Sequence, residues 1–363
     1  MRTVVTAIEN FVLLGLLSAV LSFAAALLVR FIVSRHFWMP HPIVLSRVYG
    51  VMVAFPPVAS LWLVSAALLP EWWLGKTAFD LEHSPMGSVH FHLLSDLTAA
   101  LEPGLGVASA ALAVAGLIVA VAASVRGYQR VGRVIGRLDV VAEPAPAGQI
   151  ALVDDAARGY GLQVGLVLSD YPISFVWGFG RSKLVLSTGL LKNLTASELL
   201  GVLEHEAAHH VRRDNAIKLA LSFAAHATLL FPLARRVLSW RAEAVELVCD
   251  EIATSRTRAP LEIAGALVKV RRLTLAGSSV GIACAAATEF LPTRSESFEH
   301  RVRRLVAFDD APPAPEAAVE LARGPARDLV AAAAAFALAL GLVLTIAPLA
   351  VHRAVEALIH VLA

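Results

Sequence analysis

His205-Glu206-Ala207-Ala208-His209 sets two histidines four residues apart with a glutamate beside the first, a pattern that can hold a metal ion and activate water on it. On a helix, residues four apart share a face, so both imidazoles can reach one ion while Glu206 touches a water bound there. Two neutral imidazoles and one carboxylate, with a fourth position open, suit zinc, and one Zn2+ per chain is expected. Such an ion lowers the pKa of its water to about 7. Glu206 then accepts the proton, the water attacks a polarised peptide carbonyl, and the same carboxylate returns the proton to the leaving amine. His210 adds a third imidazole, but only His205 and His209 have the glutamate between them.

A third protein ligand has to come from another element. The stretch Trp240 to Ser255 offers Glu243, Glu246, Asp250 and Glu251. Glu246 and Asp250 are four apart and share a helical face, so one can bind the ion while the other accepts a hydrogen bond from a ligand histidine. Glu243 shares much of that face, and spacing alone leaves the choice open. Cys249 lies off it and reads as a small buried apolar residue.

The elements that must position these groups are legible nearby. Thr195-Ala196-Ser197-Glu198 forms a capping box, with Leu194 and Leu199 as its hydrophobic staple, so a helix carrying both histidines is expected from Ala196 to about Arg213. Before it, Gln163 to Ser169, Ser174 to Phe179 and Lys183 to Ser187 read as short strands of a small sheet. Pro144 and Pro146 mark a linker into this region, and Pro312, Pro313 and Pro315 mark one out of it.

The rest of the chain is far more apolar than a water-soluble enzyme. Of its 363 residues 57% are hydrophobic and 17% charged, with a mean hydropathy of +0.69, against about 45–50% and about 25% in ordinary soluble domains. A net charge of +2 argues against direct nucleic-acid binding, and two cysteines, Cys249 and Cys284, argue against a disulfide-stapled secreted fold. Four uncharged runs reach the roughly 20 residues that span a bilayer, about 11–29, 48–69, 105–125 and 329–351. Leu219 to Ala234 is shorter, holds His226 and Pro232, and reads as a helix that dips into or lies along the membrane. Ala24 to Ala26 could imitate a leader cleavage site, but the long apolar core favours a retained helix. Arg30, Arg35 and Arg47 after the first run, Arg126, Arg130, Arg133 and Arg137 after the third, and Arg323 and Arg327 before the fourth put those segments in the cytoplasm. The expected architecture is therefore an α-helical membrane protein with an inserted α+β domain that carries the two-histidine motif. Residues 1–125 carry three membrane helices, 126–328 the cytoplasmic domain, and 329–363 a fourth helix and short tail, with the N-terminus and tail outside.

The run from Leu184 to Leu191, then Leu194 to Leu199 and Val202 to Asp214, resembles the core of the gluzincin metallopeptidases typified by HtpX. Phe231-Pro232-Leu233, with Glu246 to Glu251 and the order of three helices, domain and one helix, is closer to the BlaR/MecR antirepressor peptidases. By that resemblance Glu246 is the third zinc ligand and Asp250 its supporting carboxylate. The basic stretch Arg301 to Leu305 is similar to a late helix of the family's domain, from which His300 or Arg301 could stabilise the oxyanion. The resemblance implies a multi-pass protein of a bacterial inner (plasma) membrane that transduces a signal by cleaving itself or a winged-helix repressor. Quality control of membrane proteins in the HtpX manner, and a non-catalytic zinc-binding receptor, are the competing readings. With about a dozen residues after Val351, no penicillin-binding sensor domain is expected, and a signal would enter through Glu71 to Gly104, the helices or a partner. His83, His90 and His92 in that loop could bind a metal but read as solvated. A peptide substrate would add to a sheet edge supplied by Ser174 to Phe179 or Lys183 to Ser187.

Overall fold

Lys183-Leu184-Val185-Leu186-Ser187 is buried from Leu184 to Ser187, so residues of both faces are covered, and it forms the centre of the sheet. The computed structural model describes residues 2–35, 40–73, 114–116, 118–122, 125, 126, 129, 147–178, 182–227, 231–276, 295–311, 313 and 314. Within it, a helical hairpin, α1 (Arg2–Ser34) and α2 (Pro42–Trp73), precedes α3 (Ala147–Gly159). The strands β1 (Gln163–Val167), β2 (Ser174–Trp177) and β3 (Lys183–Ser187) follow, then α4 (Thr188–Asn193), α5 (Ala196–Val211), α6 (Asp214–Ala227), α7 (Phe231–Thr257), α8 (Pro260–Ala276) and α9 (Ser295–Asp310). The sheet order is β1-β3-β2, with β1 parallel and β2 antiparallel to β3. This corrects one expectation: Lys183 to Ser187 has a neighbour on each side and offers no free edge, whereas β2 is an edge strand.

The capping box holds α5 at its start. The Thr195 hydroxyl accepts from the Glu198 amide at 3.2 Å, and the Glu198 carboxylate accepts from the Thr195 amide at 2.8 Å. Lys269 of α8 donates to the same carboxylate at 2.7 Å. Leu194, Leu199 and Leu203 then pack into one core with Leu184 and Leu186 of β3 and Val153 of α3. The opposite side of α5 meets α7, where Ala208 sits among Val245, Val248, Cys249 and Ile252. The small Ala207 and Ala208 side chains, both buried, let the two helices approach closely. Gly189, just after β3, is needed for a similar reason: its amide donates to the Ser169 carbonyl at 2.7 Å, and a Cβ there would overlap the Asp170 carbonyl.

The hairpin is part of the same packed body. Ala26 of α1, Tyr49 and Val53 of α2, Ile217 and Leu221 of α6, and Val237 and Trp240 of α7 share one buried cluster. Arg30 pairs with Glu243 at 3.5 Å and lies over the Trp240 ring, and His41 Nε2 stands 3.0 Å from Glu251. Among the described residues, Pro42–Ser60 is the one segment long and apolar enough to cross a membrane, half of it buried inside the protein, and the apolar part of α1, Ser18–Ser34, is shorter. The expected third span is described only in part, as helical backbone at 114–116 and 118–122. Residues 329–351, Cys284, His83, His90, His92 and Pro144, Pro146, Pro312 and Pro315 lie outside the described residues. Leu219 to Ala234 falls across the end of α6 and the start of α7.

Candidate metal centre

The last two turns of α5 carry His205, Glu206 and His209, and the middle of α7 crosses them with Glu246 and Asp250. His205 Nε2 lies 3.4 Å from Glu246 Oε2, and His209 Nε2 lies 3.5 Å from Glu246 Oε1. The two rings meet edge to face with centroids 5.0 Å apart. One ligand atom from each residue lies within 4.8 Å of the other two. Ligands about 2.0–2.2 Å from a tetrahedral zinc stand about 3.3–3.6 Å apart; each histidine Nε2 stands at such a distance from one oxygen of Glu246, and two imidazoles with a carboxylate suit the ion in their chemistry. Glu243 belongs elsewhere: it faces Arg30.

Each metal-facing group is held from behind. Arg301 of α9, buried at 5% exposure, donates from Nε and Nη2 to the two Asp250 oxygens at 2.7 Å each, and from Nη1 to Glu246 at 2.8 Å. All three of its nitrogens serve these carboxylates, while His300 is exposed. His205 Nδ1 stands 3.0 Å from Asp250 Oδ1, an ion-pair contact off the line of a good hydrogen bond. His209 Nδ1 stands 3.1 Å from Asp214 Oδ2, which also accepts from Arg212 at 3.1 Å. The Cys249 sulfur approaches the same histidine nitrogen at 3.4 Å, so this thiol touches the outer side of a ligand ring as well as filling the core. Glu206 Oε1 accepts from the Ser174 hydroxyl of edge strand β2 at 3.0 Å, which ties the candidate base to the strand that would carry a substrate.

The electrostatics follow from burial and pairing. Burial works against protonation of His205, yet Asp250 and Glu246 outweigh it and carry the ring up to about 10. His209 is likewise raised, against burial, by Cys249, Asp214 and Glu246. Burial opposes the charge of Glu246, but Arg301 and the two imidazoles hold its carboxyl well below the ordinary range. Asp250, with Arg301 and His205 beside it, is brought down against burial to about 2. A cluster that holds imidazoles cationic is one that favours a cation at their Nε2 atoms.

A cleft of about 580 Å³ opens beside His209, between the end of β2 and the turn from α5 into α6. Val176, Gly178, Tyr160, Arg213 and Asn215 are among its walls. Arg213 holds φ at +57°, the left-handed position that usually follows a helix end as glycine and that costs another residue about 1–2 kcal/mol.

Ser174, Asp214 and the fork of Arg301 were not singled out for these contacts by the sequence. Asp214 carried a signal, standing five residues past His209 where α6 begins. Ser174 and Arg301 reach the site only through strand register and the docking of α9. Residues 152–288 match the model of Peptidase family M48, a family of zinc metallopeptidases. This supports the M48 metallopeptidase family for the domain. No curated protein and no solved structure matches the chain.

Proposed function

We propose that this protein is a membrane-embedded zinc endopeptidase that cleaves an extended peptide held along β2. The observation that carries the reading is the convergence of the Glu246 carboxylate on the Nε2 atoms of His205 and His209 at 3.4 and 3.5 Å, with Glu206 on the same turn. Zinc bound there would supply Lewis acidity to a substrate carbonyl and to the attacking water. Glu206 takes the proton of that water and delivers it to the leaving amine, its carboxylate oriented by Ser174. Asp250 and Asp214 stand against the Nδ1 atoms of the two imidazoles, which would leave both Nε2 atoms to hold the ion, and Arg301 holds Glu246 and Asp250 against their mutual repulsion.

Membrane embedding is supported by the apolar α2 segment and by Val20, Leu21, Leu27, Leu28 and Phe31, which stand exposed along α1; a row of this kind suits lipid. We further propose that cleavage of a cytoplasmic regulator, or of the chain itself, transduces a signal, as the BlaR/MecR resemblance implies. Quality control of membrane proteins in the HtpX manner is the second reading, and the resemblance of Leu184 to Asp214 to that type supports it.

Glu206→Gln tests the chemistry. The variant should retain zinc, because every ligand remains, while peptide cleavage falls by about 10²- to 10⁴-fold; undiminished cleavage would exclude Glu206 as the base. The same variant used as a trap in the native membrane separates the two biological readings. Recovery of one regulator supports signalling, and recovery of many misfolded membrane proteins supports quality control.

A further inference from the structure

We infer that the cleft beside His209 is a specificity subsite that takes an acidic side chain of the peptide, with Arg213 as the group that recognises it. The inference rests on the peptidase reading and names the substrate class for the same site. Two features of the edge strand direct the peptide there. Residues of β2 alternate between facing β3 and facing outward, and the Ile173 carbonyl accepts from Ser187 of β3 at 3.0 Å, so Ser174 and Val176 present their backbone groups to the open side. The Val176 carbonyl is already occupied, because Asn215 Nδ2 donates to it at 2.8 Å. An added strand can use Ser174, next to Glu206, but loses its acceptor at Val176. It has to leave the edge at that point, where the cleft begins.

The charge in the cleft is one-sided. Arg213 is exposed and lines it, and among the described residues it has no acidic partner. The neighbouring acids are committed elsewhere: Asp214 is buried against Arg212 and His209, and Glu204 accepts from Tyr160 and Arg256. Of the other walls, His209 and His210 bring imidazoles, Tyr160, Ser182 and Asn215 are neutral hydrogen-bonding groups, and the rest are apolar, so no carboxylate lines the cleft. The Arg213 backbone is moreover held at a positive φ, where glycine would make the turn more easily, so an arginine stands in the cleft wall at a local backbone cost. Opposite charge across such a partly shielded site discriminates between peptides more than it adds raw affinity.

The test uses the full chain, solubilised in detergent and loaded with zinc, acting on a pool of random-sequence peptides whose products are sequenced by mass spectrometry. The wild-type protein should give products enriched about three- to tenfold in Asp or Glu at one fixed distance from the cut. Arg213→Gly relieves the backbone, so the fold is retained; the enrichment should vanish in this variant, and Arg213→Glu should shift it to Lys or Arg at the same position. Because enrichment is a ratio within each pool, a change in overall rate does not alter the reading. Products without a charge preference, or a preference unchanged in Arg213→Gly, would overturn the subsite while leaving the peptidase standing. Absence of any zinc-dependent product from the wild-type protein would overturn both.

Discussion

Glu243 and Glu246 stand three residues apart on α7, and their opposite fates set the first prediction. Glu246 lies against two imidazoles and Arg301, while Glu243 makes a half-exposed pair with Arg30. Glu246→Ala should lower zinc affinity at least tenfold more than Glu243→Ala, read by competition with a chelator, because only the former removes a donor. It also leaves Arg301 buried beside one carboxylate fewer. Loss of one partner from a buried pair costs about 3–5 kcal/mol, whereas an exposed pair is worth about 0.2–1 kcal/mol, so the two variants should separate in metal-free unfolding as well. The cluster also fixes the pH dependence of the metal-free chain. Asp250, lowered from 3.8 to about 2, contributes stability that is complete above its unfolded value and disappears as pH falls toward 2. His205, raised to about 10, contributes stability that is complete below about 6.5 and is lost as pH rises through 10. Denaturant unfolding in chelator should therefore show both contributions intact between about pH 4 and 6.5, with a decline on each side. Asp250→Asn should flatten the acid limb; an unchanged acid limb would show that other carboxylates govern it.

Local spacing determines α5, and its cap can be tested directly. Thr195→Ala removes the acceptor for the Glu198 amide and should cost about 0.5–2 kcal/mol in thermal unfolding, with zinc affinity falling because the same helix carries His205 and His209. Gly189→Ala forces a Cβ onto the Asp170 carbonyl and should cost about 1–3 kcal/mol. The contrast between these two sites shows what could be read in advance. The capping box, the staple and the pair of histidines depend on residues within one or two helical turns, and all are visible in the sequence. Which strand forms the edge depends on pairing across the sheet, so Lys183 to Ser187, which reads as readily as Ser174 to Phe179 for that role, turns out to lie in the middle. The overlap at Gly189, the grip of Lys269 on Glu198 and the fork of Arg301 on Asp250 are likewise fixed by how distant elements dock. No periodicity records them.

At the scale of the molecule, the hairpin read from sequence as uniformly apolar proves to have two sides. One side of α1 exposes Val20, Leu21, Leu27 and Leu28, while Ala26, Tyr49 and Val53 enter the cluster that contains Ile217, Leu221, Val237 and Trp240. Ile43 packs with Ala208 of α5 and with Val245, Val248 and Cys249 of α7. Arg30 and His41 then grip α7 at Glu243 and Glu251, on either side of Glu246 and Asp250. The hairpin is thus a wall of the metal centre's own scaffold as well as a candidate membrane anchor. Removing residues 1–73 should expose the apolar side of α6 and α7, give a product that aggregates without detergent, and loosen zinc even where every ligand is retained. Trp240→Ala makes the milder version of the same argument: truncating a ring that is 6% exposed should cost about 3–5 kcal/mol and measurably weaken zinc retention, although Trp240 touches no ligand. If the truncated chain instead stays monomeric and holds zinc as tightly as the full one, the hairpin only tethers the domain. Motion of the hairpin could then not be felt at Glu246, and a signal would have to reach the site by another route.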